Sequence, residues 1–151
     1  MTLDVERLHH VIERYITREY LTIQAPRAVG VTTSFEQLLL AEAQLADGGS
    51  HFVYVAINEN AAKHMQDRFA RLLNSEPGMI IDRHQHQQLH IRNSGTVFFF
   101  VGVEYFSQRF AFLGTKVDKV FVDVVGDLPI TYYKPLCDKL LMMQARGTEI
   151  V

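Results

Sequence analysis

Apolar side chains recur along this chain with two periods, and the switching between them predicts the order of its elements. From Asp4 to Tyr20, Val5, Leu8, Ile12, Tyr15 and Ile16 recur at spacings of three and four. Glu6, Arg7, Glu13, Arg14 and Arg18 fill the other side, the pattern of an amphipathic helix. Leu21 to Ala25 predicts a short strand, after which Pro26 ends any helical reading. A second helix is expected from Phe35 to Leu45, capped by Thr33 or Ser34 and stopped by Asp47-Gly48-Gly49. His51 to Ile57 is a near-continuous apolar run of β-branched and aromatic residues, which predicts a strand covered on both faces. Asn58 then caps a third helix, Glu59 to Asn74, with Ala62, Met65, Phe69, Leu72 and Leu73 on its buried stripe.

After the turn at Pro77-Gly78 the period shortens. Met79-Ile80-Ile81 predicts a brief strand, and Gln87 to Arg92 alternates apolar with polar residues. Asn93-Ser94-Gly95 is a turn, and Thr96 to Val103 completes a β-hairpin whose Phe98-Phe99-Phe100 must face both sides of the sheet. Glu104 to Leu113 suits either a short helix or a turn carrying Tyr105, Phe106, Phe110 and Phe112. Val120 to Val125 is the clearest strand in the chain. Thr131 to Arg146 reads as the last helix, with Pro135 taken as a tolerated first-turn proline. Gly147 ends that helix, and Thr148 to Val151 starts one more strand. The expected fold is α/β, a layered, mixed and mostly parallel sheet with helices on both faces and an inserted β-hairpin. A single domain over residues 1–151 is expected, with an N-terminal helix (1–20) preceding the core (21–151).

Composition narrows the function classes. At 151 residues, 48% hydrophobic and 21% charged, the chain suits one soluble globular domain. A formal net charge of −2 offers no global attraction to nucleic acid or anionic membrane. Arg68, Arg71, Lys116 and Lys119 are the candidates for a local basic patch. Cys137 is the lone cysteine, so an intramolecular disulfide is excluded, in keeping with a reducing cytoplasm. Neither a leader pattern nor an apolar run of about 20 residues is visible, so no membrane partner is expected.

Two stretches carry candidate chemistry. Gln24 to Thr33 lies between a predicted strand and a predicted helix, where a phosphate-binding loop would sit. Laid over the pattern Gly, four residues, Gly, Lys, Ser/Thr, the chain puts Ala25, Gly30, Val31 and Thr32 at the defining positions. Downstream, Val120-Phe121-Val122-Asp123 is an apolar strand ending in an acid, the form of the Walker B element that holds Mg²⁺.

On these residues the chain from about Tyr20 to Val151 resembles the RecA-like ATPase domain of viral DNA-packaging terminases and helicases. Ala25 to Thr33 is similar to that family's Gly-Pro-Arg-Gly-x-Gly-Lys-Thr-Thr loop. Phe52 to Ala62 resembles its second strand and helix, and Arg109 to Asp123 its approach to Walker B. The resemblance implies a reduced P-loop topology, with Gly30, Thr32, Thr33 and Asp123 as the remnant of a nucleotide site. It also implies a viral or mobile-element origin and a location in the host cytoplasm.

The departures change the expected activity. Val31 stands where the family's lysine reaches the β- and γ-phosphates, and Val124 where its second acid polarises the attacking water. Asp127, three residues on from Val124, substitutes for that acid only in an unusual loop. Ala25, Ala28 and Val29 replace glycines or small residues in the loop. Charge stabilisation is the main means of catalysing phosphoryl transfer, so losing both groups costs many orders of magnitude. The expectation is a catalytically inactive domain, without cofactor or metal, that acts by binding another protein. That partner would be a DNA-packaging or host ATPase, or a second copy of the chain, since the sheet is expected to end short and leave an open edge. The alternatives are an ATP·Mg²⁺-binding packaging-type ATPase using an atypical lysine, and a nucleic-acid-binding accessory module.

Other constellations favour plainer readings. His84, His86 and His90 with Asp82 have metal-like spacing on a continuous strand, but the surrounding glutamines mark a solvated hairpin. His9 and His10, adjacent on a helix, diverge. Cys137 among Leu136, Leu140 and Leu141 reads as a buried, inert thiol. The aromatics from Phe98 to Phe112 read as core, and those that prove exposed as a protein interface rather than a base-stacking platform.

Overall fold

The structure is a computed structural model that describes residues 31–45, 48–84, 87–124, 128 and 130–151. The predicted N-terminal helix and the strand over 21–25 lie outside these residues. The described elements, in order, are α1 (Val31–Leu45), β1 (His51–Ala56), α2 (Glu59–Asn74), β2 (Ile81–His84) and β3 (Gln88–Ile91). They continue with β4 (Thr96–Gly102), α3 (Val103–Phe106), β5 (Lys119–Asp123), α4 (Ile130–Ala145) and β6 (Glu149–Ile150).

The strands form one six-stranded sheet in the order β2-β3-β4-β1-β5-β6. β4, β1, β5 and β6 are parallel neighbours, whereas β2, β3 and β4 pair antiparallel, so the sheet is mixed and mostly parallel. Strict alternation sends the residues of each strand to two separate cores. Phe52, Tyr54, Phe98, Phe100 and Phe121 face α1 and α2, where they meet Leu39, Met65, Phe69 and Leu73. Val53, Val55, Val101, Val120 and Val122 face α3 and α4, against Phe106, Leu136, Leu140 and Ile150. The helices therefore cover both faces, and this double burial is why β1 and β4 read as continuous apolar runs. Each fully buried Phe or Leu contributes roughly 1.5–3 kcal/mol.

α2 keeps its expected bounds and cap, and most of its stripe: Leu72 is only half-buried, while Gln66 and Ala70 are buried as well. Asn58 accepts a hydrogen bond from the Ala61 amide at 2.8 Å, and Ala62, Met65, Phe69 and Leu73 are buried. Three other expectations are corrected. α1 already includes Thr33 and Ser34, so neither caps it; small polar residues are tolerated in a first helical turn. The strand expected at residues 79–81 begins at Ile81, because pairing with β3 rather than local apolarity sets its position (Ile81 opposite Ile91). Pro135 sits in the second turn of α4, where it deprives the Thr131 carbonyl of its helical donor; Thr131 is exposed, so water serves instead.

The connections define where a ligand site of such a sheet would lie. From β1 the chain passes over the α2 face to β4; from β5 it passes over the α4 face to β6, in the opposite direction. The two crossovers have the same hand. Neighbouring strands whose connections diverge make a topological switch point, and ligands of open α/β sheets bind at the carboxyl ends of such strands. Here that point lies between Ala56 and Asp123, which are register partners.

Candidate functional site

Asp123 is the last residue of β5 and stands at the switch point. As the parity of β5 requires, it shares a face with Phe121 and with the α1 and α2 helices. α1 runs antiparallel to β5 across that face. Its Phe35 ring stands edge-on to Tyr54 at 6.1 Å, while Glu42, two turns later, binds Lys119 at the start of β5. The first turn of α1, which holds Val31, Thr32 and Thr33, is therefore brought to the same end of the sheet as Asp123. Gly30 lies outside the described residues, as do Ala25 to Val29 and Asp127.

Asp123 is only 7% exposed, and its carboxylate accepts a hydrogen bond from the Tyr54 hydroxyl of β1. Burial, and then the charge of Asp123, push the Tyr54 phenol far above its ordinary range, so it stays protonated and remains a donor. The neighbouring Arg68 and Glu36 act on it in opposite directions and pair with each other at 2.7 Å, tying α2 to α1. A carboxylate satisfied from within by a locked phenol is an internal brace. Val124, at the position of the family's second acid, packs against the α4-side core, on the opposite face of the sheet.

The adjoining carboxyl ends of β1 and β4 are also filled. Glu59, in the first turn of α2, accepts a bond from the Gly102 amide at 3.0 Å and another from the Gln87 side chain. A Cβ on Gly102 would lie 2.8 Å from Asn58 and Glu59 backbone atoms, so only glycine lets α2 approach this closely. At the exposed α2 N-terminus, a natural anion site, Asn58 takes up the Ala61 amide.

Away from this end, the histidine reading is revised. The chain reverses between β2 and β3, so residues 84 and 90 lie on different strands, His90 opposite Asp82. His86 lies outside the described residues. Among the described residues no group of three or more His, Cys, Asp or Glu is placed to hold a metal ion. Cys137 is 1% exposed, and burial pushes its thiol up to about 11, an inert state. Of the four basic candidates, Arg68 is paired with Glu36, and Lys119 with Glu42 and Glu149. The aromatics divide: Phe98, Phe100 and Phe106 are core, while Tyr105 and Phe110 are exposed. No described helix is long and apolar enough to cross a membrane.

The brace partner Tyr54 was not singled out by sequence reasoning. Its signal is slight, a lone hydroxyl in an otherwise apolar strand, and naming its acceptor requires the β1–β5 register. Comparison with protein-family models, with curated proteins and with solved structures returns no match.

Proposed function

We propose that this chain is a catalytically inactive RecA-like domain of the terminase and helicase kind, acting by binding another protein. The family likeness is supported by a helix that includes Val31 after the loop-like sequence, by the order of β1 and α2, and by an acid at the carboxyl end of β5 beside the switch point. Loss of activity rests chiefly on one observation, the Tyr54 hydroxyl bound to the buried Asp123 carboxylate. The residues present do not fit Mg²⁺-nucleotide. The acid that would hold the metal is held by a phenol, the position of the water-polarising acid is a half-buried valine packed against the α4-side core, and Val31 cannot balance a triphosphate.

A packaging or remodelling ATPase of the host or of a virus, or a second copy of the chain, is the partner this reading favours. The pairing of Arg68 and Lys119 with acids gives less support to nucleic acid as the principal ligand. The test is an ATPase assay on the wild-type chain and on Asp123→Ala. The expected outcome is no turnover above background in either. Wild-type turnover that disappears in the variant would overturn the reading and leave an atypical ATPase in its place.

A further inference from the structure

We propose that the cleft between the loop joining α3 to β5 and the C-terminal half of α4 docks an acidic segment of a partner protein through a bulky apolar anchor. The loop is rigidly built. Lys139 of α4, 5% exposed, donates to the Gln108 carbonyl at 3.1 Å and to that of Ala111. Successive turns close it, from the Ala111 amide to Gln108, Leu113 to Phe110 and Thr115 to Phe112. The Thr148 hydroxyl fixes its far end on the Val117 carbonyl at 2.7 Å. Phe112 is held in the left-handed region (φ 59°), a conformation that costs a bulky residue of order 1–3 kcal/mol. Its ring is wedged between Phe99, Tyr105 and Phe106.

A loop braced in this way nevertheless turns apolar groups outward. Phe110 is 75% exposed, Leu113 48% and Tyr105 45%. Beside them lies a cleft of about 290 Å³ whose walls include Phe112, Leu113, Met142 and Met143, with Lys116 and Arg146 also lining it. That volume lies at the small end for a ligand pocket and suits an inserted side chain. Methionine walls adapt to different anchors. Among the described residues no carboxylate lines the cleft, and neither Lys116 nor Arg146 pairs with an acid. Asp118, just past the loop, is turned to the His51 amide. On a chain of net charge −2 this is a local cationic site with an apolar floor, complementary to carboxylates flanking a Leu or Phe. A nucleic-acid strand fits less well. The Arg109 guanidinium lies over the Phe110 ring at 5.9 Å, on the face a base would stack against.

This inference names the surface that the protein-binding reading requires, and it is tested separately from the ATPase question. A short fluorescein-labelled peptide alternating aspartate with leucine and phenylalanine is titrated by anisotropy. The controls are a peptide with lysine in place of aspartate and a labelled oligothymidylate. Binding of the acidic peptide is expected, weakening with salt and falling about tenfold or more in Leu113→Asp or Arg146→Glu. Both residues are exposed, so the variants should stay folded, which far-UV circular dichroism is to check. In amide spectra the shifts should fall on residues 110–117 and 142–148. The proposal is overturned if no peptide binds, if both bind alike, if the two variants bind as wild type, or if only oligothymidylate binds. Each of those results leaves the loss of ATPase activity standing, whereas turnover would remove that reading and leave the cleft result intact.

Discussion

At the carboxyl end of β5 a buried carboxylate is bonded by a phenol of the neighbouring strand; on the loop after α3 apolar groups are turned outward. The first region has the position of a catalytic site and the hydrogen bonding of a core. The buried Asp123 carboxylate accepts from Tyr54 of the neighbouring strand, and Glu59 of α2 accepts from the Gly102 amide. The second region is anchored by Lys139 and by a strained Phe112, yet it exposes Phe110 and Leu113 to water. Backbone strain beside exposed apolar side chains is where recognition surfaces are to be sought. Location in the fold shows where a site could be; the direction of the polar groups shows whether it is in use.

The comparison can be broken first at Gly102. Replacing it with valine drives side-chain atoms into the first turn of α2 and should destabilise the chain by about 3 kcal/mol in urea unfolding. A neutral outcome would mean that the end of the sheet is open. Next comes Tyr54→Phe, which leaves the buried Asp123 carboxylate without its phenol donor and should cost about 1–3 kcal/mol. Combining it with Asp123→Asn should cost less than the sum of the two, because they share one bond. Additive losses would show that the brace is not coupled.

Much of the architecture was legible because it depends on local pattern. Asn58 with its helical stripe, the continuous apolarity of β1 and β5, and the turn before β4 all announce themselves over a few residues. What was not legible depends on partners distant in sequence. β2 is positioned by Ile91 and Arg92 of the neighbouring strand rather than by its own apolarity. Asp123 was readable as an acid closing an apolar strand, but its Tyr54 partner lies 69 residues away and emerges only with the strand register. Likewise, nothing in the run Tyr105 to Leu113 separates the buried Phe106 from the exposed Phe110, since irregular turns carry no period.

Alkaline pH sharpens the contrast by acting on buried groups. The Cys137 thiol is raised from 9.0 to about 11, so its protonated form is favoured in the fold. That contribution is complete below pH 9.0, the ordinary value, and is lost as the pH rises towards about 11. Tyr54 acts in the same direction from its ordinary 10.0 upward. Unfolding midpoints should fall across this window, and Cys137→Ala should flatten the fall whatever it does to absolute stability. An unchanged slope would contradict the assignment. The smallest effect is expected on the open region, where Phe110→Ala should change stability by no more than about 0.5 kcal/mol. A larger loss would mean that this ring is structural.

The most direct test of the proposed loss of nucleotide binding is calorimetric titration of Mg²⁺·ATP into the full chain. No heat of binding is expected even at millimolar nucleotide. Micromolar binding that is lost in Asp123→Ala would contradict it, showing that Asp123 serves a ligand rather than Tyr54.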